Sequence, residues 1–155
     1  MTQPASPPVL TELKLTPALK ELVNSALQRG RMLSVAYVSP DGKPELSFRG
    51  SVQAYSDTQL AIWVRNPEGG IVKAVSSGHP HIALLYGELG KDSKAFVAFR
   101  GRGHVDSAPA VRKAVYNNSP ELERDLDKGQ KGVPLVIDLD SVEGVFGGAV
   151  LKMRR

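Results

Sequence analysis

After Gly30 the chain changes its period, and that change constrains the fold more than any other feature of the sequence. Up to Gly30 one helical repeat is legible. Thr16-Pro17 offers an N-cap and a proline at the first helical position, Leu19, Leu22, Val23 and Leu27 fall on one face, and Gly30 stops the run. Beyond it, short apolar stretches are cut by turn residues. Residues 32–38, 45–55, 59–65, 81–86, 95–105 and 133–139 read as six strands. Pro40-Asp41-Gly42 and Asp57 turn the first three into successive hairpins. Asn66-Pro67-Glu68-Gly69-Gly70 breaks the pattern and opens a short helix over 71–77. Helical signals return over 109–116 and at Ser119-Pro120-Glu121, which predicts a second capped segment. Its charged continuation, 121–131, reads as a solvated end or a loop. Strands in sequential antiparallel order with helices at the breaks predict a small barrel. Pro4, Pro7 and Pro8 with small polar neighbours mark residues 1–15 as a flexible arm, and 16–155 as a single domain.

Composition excludes several classes. No apolar run approaches the roughly 20 residues that span a bilayer, and the first eight residues lack a basic group followed by an apolar stretch. The expectation is a cytoplasmic protein with no membrane partner. With no cysteine, disulfides and thiolate ligands are ruled out. The net charge is +4, but the basic residues are scattered apart from Lys152, Arg154 and Arg155, and no aromatic platform interleaves with them. Nucleic acid is therefore not an expected partner. No glycine-rich dinucleotide or nucleotide loop and no nucleophile elbow is present. His79 and His81 lack a third ligand, so no metal is expected. Glu121 and Glu123 read as a solvated face.

A set of motifs in order resembles the pyridoxamine 5'-phosphate oxidase-like family. Pro40-Asp41-Gly42-Lys43-Pro44 followed by Leu46-Ser47-Phe48-Arg49-Gly50-Ser51 is similar to its second hairpin. Leu60-Ala61-Ile62-Trp63-Val64-Arg65, then Lys73-Ala74 and His79-Pro80-His81-Ile82-Ala83-Leu84-Leu85, resembles its central strand–helix–strand unit. Residues 96–105 and Val136-Ile137-Asp138-Leu139 resemble its fifth and closing strands. The resemblance spans about residues 20–146 and implies a six-stranded antiparallel split β-barrel with short flanking helices. It also implies a homodimer with FMN at the subunit interface, and an oxidoreductase moving a hydride or electrons between flavin and a small substrate. A deazaflavin or haem in place of FMN, or a protein that binds or senses such a ligand without turnover, stands as the alternative. The chain departs from the oxidase pattern at Val72-Lys73, where Arg-Lys is usual, and at Phe96, where a glutamine is usual. It also lacks the C-terminal Trp and Arg region, so pyridoxamine oxidation itself is not expected.

The candidate residues follow. Ser47, Arg49 and Ser51 alternate on one face of a strand, where a guanidinium fork suits phosphate; the plain alternative is a wet strand face. The family's phosphate-binding lysine falls at Lys73, near the start of the short helix. Arg65 would close the same anion site or cap its strand. The resemblance runs the backbone of Trp63 and Val64 along the flavin ring, with the indole in the core. Arg100 and Arg102 flank Gly101 and point the same way, toward cofactor or substrate anions, the dimer interface, or solvent.

Overall fold

A computed structural model describes residues 10–155. Thr16 caps α1 (Pro17–Asn24), its Oγ1 accepting the Leu19 N–H at 3.2 Å. The helix buries Leu19, Leu22 and Val23. A 3₁₀ turn over Leu27–Arg29 follows and ends at Gly30, whose φ of 74° is left-handed.

The strands number nine among the described residues, not the six expected: β1 (Thr11–Glu12), β2 (Leu33–Val38), β3 (Pro44–Arg49), β4 (Gln53–Ser56), β5 (Gln59–Val64), β6 (His81–Leu89), β7 (Lys94–Val105), β8 (Val133–Phe146) and β9 (Ala149–Arg154). The extra ones have separate causes. The expected strand over 45–55 is two strands, because the chain leaves the ladder at Gly50 and re-enters it at Gln53. The last strand runs on past Leu139 to Phe146, and Gly147 and Gly148, at φ 62° and 76°, return it as β9. Two successive positive φ values make the two-residue turn that matches strand twist. The arm expected over 1–15 also changes. Its residues 1–9 lie outside the described residues, but β1 pairs in parallel with β9, and Leu13 and Leu15 are buried.

The sheet runs β1-β9-β8-β7-β6-β2-β3, with β5 on β8 and β4 on β5. The sheet is therefore mixed and not closed. Strand β8 serves two neighbours on one edge: Val133 to Asp138 pair with β5, and Ser141 to Phe146 with β9. Its register against β7 shifts between Arg100 and Gly101. The seam lies between β3 and β4, where Gly50, Ser51 and Val52 cross without ladder pairing.

Helix α2 (Gly70–Ser76) fills the gap between β5 and β6, and α3 (Pro109–Asn118) and α4 (Glu121–Asp125) that between β7 and β8. Ser119 does not cap α4 as expected. Its hydroxyl turns back to donate to the Val115 carbonyl at 2.8 Å, and Pro120 stands at the N-cap without a side-chain bond. The main core lies inside the curved sheet, around Val35, Leu60, Ile62, Phe99 and Ile137. A second cluster of Ala61, Trp63, Val115 and Tyr116 joins α3 to the outside of β5. Across the opposite face of the sheet Leu46, Phe48, Leu85, Phe96, Val145 and Val150 stand exposed. No described helix is long and apolar enough to cross a membrane.

Candidate functional site

The seam between β3 and β4 is where backbone pairing stops, and side chains take over. Ser51, 2% exposed, accepts the Trp63 N–H at 3.1 Å and donates to the Trp63 carbonyl at 3.0 Å. One hydroxyl thus closes both backbone groups that β5 would otherwise offer to a neighbouring strand. A cleft of about 410 Å³ opens beside it, lined by Phe48, Arg49, Gly50, Ser51, Trp63, Arg65, Asn66 and Glu123.

Arg49 pairs with Leu33 across the ladder, which turns it to the inner side of the sheet at the seam. Ser47 pairs with Val35 and points the same way, while Phe48 points outward. The wet-face alternative for Arg49 therefore does not describe this strand. Burial draws the Arg49 guanidinium below its ordinary pKa, and neighbouring Arg65 adds to this, while Tyr37 and Glu123 oppose it. An arginine stays charged regardless. Its Nε is buried with no hydrogen-bond partner among the described residues. Such a donor costs free energy unless something accepts from it.

Arg65 stands just past the end of β5, with Nε 3.9 Å from Glu123 Oε2. The other carboxylate oxygen, Oε1, lies over the Cα of Gly50, in space that a Cβ would fill. The absence of a Cβ at Gly50 is what gives that oxygen room at the floor of the cleft. The expectation of a solvated Glu123 is thus corrected: its side chain is only 14% exposed. No motif marked it, since α4 carries Glu121, Glu123 and Asp125 within one short charged run.

The wall behind Arg65 is Trp63, 3% exposed, whose Nε1 donates to Asp127 Oδ2 at 2.9 Å. Tyr116 meets the indole edge-on at 5.1 Å, and Arg112 lies 5.2 Å from its ring centre. The side chain is core, as the sequence suggests. Ser51 pairs with both the N–H and the C=O of Trp63, and the Val64 carbonyl faces Gly132, on the β8 side. The Val64 side chain is buried.

The remaining candidates lie elsewhere. Lys73 is exposed at the fourth position of α2 and does not line the cleft. Arg102 is held in a forked pair by Asp140, at 3.1–3.2 Å. Arg100 is exposed and lines a second, more apolar cleft of about 300 Å³ with Tyr37, Val38, Pro44, His81 and Asp140. The structure therefore brings Arg49, Ser51, Trp63 and Arg65 together and leaves Lys73, Arg100 and Arg102 outside. No group of histidine and carboxylate side chains suited to a metal ion occurs among the described residues.

The arrangement defines an unclosed sheet with a cleft at its seam that Arg49, Arg65 and Glu123 line. No family model and no curated protein matches the sequence. Solved structures do match the fold. HupZ of Group A Streptococcus aligns with a TM-score of 0.62 at 16% identity, covering 88% of this chain and 98% of that one. An FMN-binding protein from Syntrophomonas wolfei gives 0.61 at 10% identity, with coverage of 83% and 86%. A Clostridium acetobutylicum protein of the pyridoxinephosphate oxidase family, related to general stress protein 26, gives 0.60 at 10%, with 84% and 90%. The chain has the pyridoxamine 5'-phosphate oxidase-like fold.

Proposed function

We propose that the chain binds FMN with its phosphate in the Arg49–Arg65 cleft, and that it is a cytoplasmic flavin-dependent oxidoreductase acting on a small substrate. The observation that carries this reading is the buried, unpartnered Arg49 Nε beside a second guanidinium, above a glycine floor. Two guanidinium forks suit the several acceptor oxygens of a phosphate, and Asn66 adds an amide. Bound flavin would supply hydride or electron-pair transfer; the protein's part is to hold and orient it. The FMN-binding neighbour of the same fold supports the choice of ligand. Haem fits this cleft less well, because no lining residue offers an imidazole, thiolate, thioether or phenolate as axial ligand.

The exposed apolar face supports a homodimer. Leu46 and Phe48 on β3, Leu85 on β6, Phe96 on β7, Val145 on β8 and Val150 on β9 form a continuous surface of a kind that monomers rarely leave uncovered. Sedimentation should show a dimer that the double substitution Leu46→Glu, Phe48→Glu converts to monomer; a wild-type monomer refutes the assembly.

The test of function is an absorbance spectrum of the purified protein, taken before and after adding excess FMN and desalting. Retained flavin bands that bleach with NADH or NADPH and recover in air support an oxidoreductase. Retained bands that no donor bleaches favour a binding or sensing role. A colourless protein refutes the flavin reading, and deazaflavin and haem are then titrated in its place.

A further inference from the structure

Glu123 sits where a ligand's anion would go. Its carboxylate lies above Gly50 and faces Arg65, in the cleft that Arg49 also lines. Yet it is poorly held. The one ion pair is long, at 3.9 Å, and the carboxylate accepts no hydrogen bond among the described residues. Among the described residues Arg49 Nε has no hydrogen-bond partner. The glutamate therefore neutralises the arginines without satisfying their donors. A carboxylate this covered normally accepts several hydrogen bonds, since its desolvation is costly.

We propose that Glu123 is an internal anion that holds the Arg49–Arg65 site until a phosphate displaces it, and that it thereby sets which anions the site accepts. The inference rests on the phosphate reading given above. A tethered carboxylate is present at high effective concentration, so a free monoanion that makes no better contacts loses the competition. A phosphate dianion carries more charge and more acceptor oxygens, and reaches the N–H groups that Glu123 leaves unused. The two anions exclude each other, because like charges at contact distance repel strongly in a half-buried cleft.

The side chain moves rather than the helix. Tyr116 donates its hydroxyl to the Arg124 carbonyl at 3.3 Å, and Arg124 Nη1 donates to the Asn117 carbonyl at 3.2 Å. Just beyond α4, Asp127 is bound to Trp63. Just before α4, the buried Ser119 hydroxyl accepts from Gln53 Nε2 at 3.3 Å and donates to the Val115 carbonyl at 2.8 Å. With the segment held at both ends, a change of rotamer at Glu123 is the economical route out of the cleft.

The test compares wild type, Glu123→Gln and the control Glu121→Gln, which changes an exposed carboxylate on the same helix. FMN, riboflavin and inorganic phosphate are titrated by calorimetry, with circular dichroism to confirm folding. Glu123→Gln should tighten FMN and phosphate by about tenfold or more, the scale of one removed like-charge contact. Riboflavin, which lacks the phosphate, should bind both proteins alike, and Glu121→Gln should match wild type. Equal FMN and phosphate affinities in wild type and Glu123→Gln overturn the inference while leaving the flavin reading standing. Tighter phosphate in Glu123→Gln without FMN binding in any form upholds the displaced carboxylate and sinks the flavin. Binding of neither anion by any form overturns both.

Discussion

Asp127 is the residue whose removal should be felt most clearly beyond the cleft, through the wall that Trp63 provides. Its Oδ2 accepts from Trp63 Nε1 and from the Gly132 N–H, both at 2.9 Å, and its Oδ1 from the Lys131 N–H at 3.0 Å. Burial alone would raise its pKa; the bonds from Trp63, Lys131 and Gly132 and the charge of Lys131 outweigh it and hold the carboxyl below its ordinary value. Hydrogen bonds to a charged acceptor contribute roughly 1.5–3 kcal/mol each in favourable settings. The carboxylate here is half-exposed and the Lys131 bond lies at the surface, so water replaces part of that sum. About 2 kcal/mol is expected for Asp127→Ala, most of it from the Trp63 and Gly132 donors. Asp127→Asn can keep one acceptor on those two donors and should cost about half as much, roughly 1 kcal/mol. Trp63 is the only tryptophan, so its fluorescence in a urea titration reads the element under test. With a urea slope of about 2 kcal/mol per molar, Asp127→Ala should move the midpoint down by about 1 M. The sign with pH follows from the lowered pKa: the contribution is whole above the unfolded carboxylate range and fades as pH falls through the folded value. The gap between wild type and Asp127→Asn should therefore close below about pH 4. A midpoint shift under about 0.3 M for Asp127→Ala, with the slope unchanged, would show water replacing all three bonds and refute the reasoning.

Gly144→Ala should cost at least about 3 kcal/mol in thermal or urea unfolding, against about 1 kcal/mol for Gly147→Ala. At Gly144, φ is 151° and a Cβ would overlap the Phe96 carbonyl of β7, whereas at Gly147 the space is open; similar losses would mean that the two strands separate to admit the methyl group. Arg49→Ala should weaken FMN by roughly 1.5–3 kcal/mol, about ten- to a hundredfold. Lys73→Ala, outside the cleft, should stay within about threefold of wild type when bound flavin is followed by its fluorescence. A larger loss from Lys73→Ala than from Arg49→Ala would move the phosphate to α2.

Local pattern was legible where one residue and its neighbours decide the outcome. Thr16-Pro17 and Gly30 bound the first helical stretch, and apolar runs cut by turn residues marked the long strands, because capping and turn chemistry are settled within a few residues. Strand β9 escaped because Val150 and Lys152 face away from Leu151 and Met153, so a half-polar stretch ending in arginines resembles a basic tail until β8 pairs with it. Alternation also placed Ser47 and Arg49 on one face but could not say that it was the inner one; pairing with Val35 and Leu33 decides that. Glu123 was further from reach. A run containing Glu121, Glu123 and Asp125 is on average a solvated face, and only the crossing of α4 over Gly50 makes one of the three differ from the others. The same crossing brings a negative charge to the two arginines of the cleft. Two guanidinium groups sharing a half-buried cleft repel, as Arg65's depressing effect on Arg49 shows, and Glu123 opposes it. A counter-ion built into the chain offsets that repulsion from within the cleft, and among the described residues it does so without accepting a hydrogen bond.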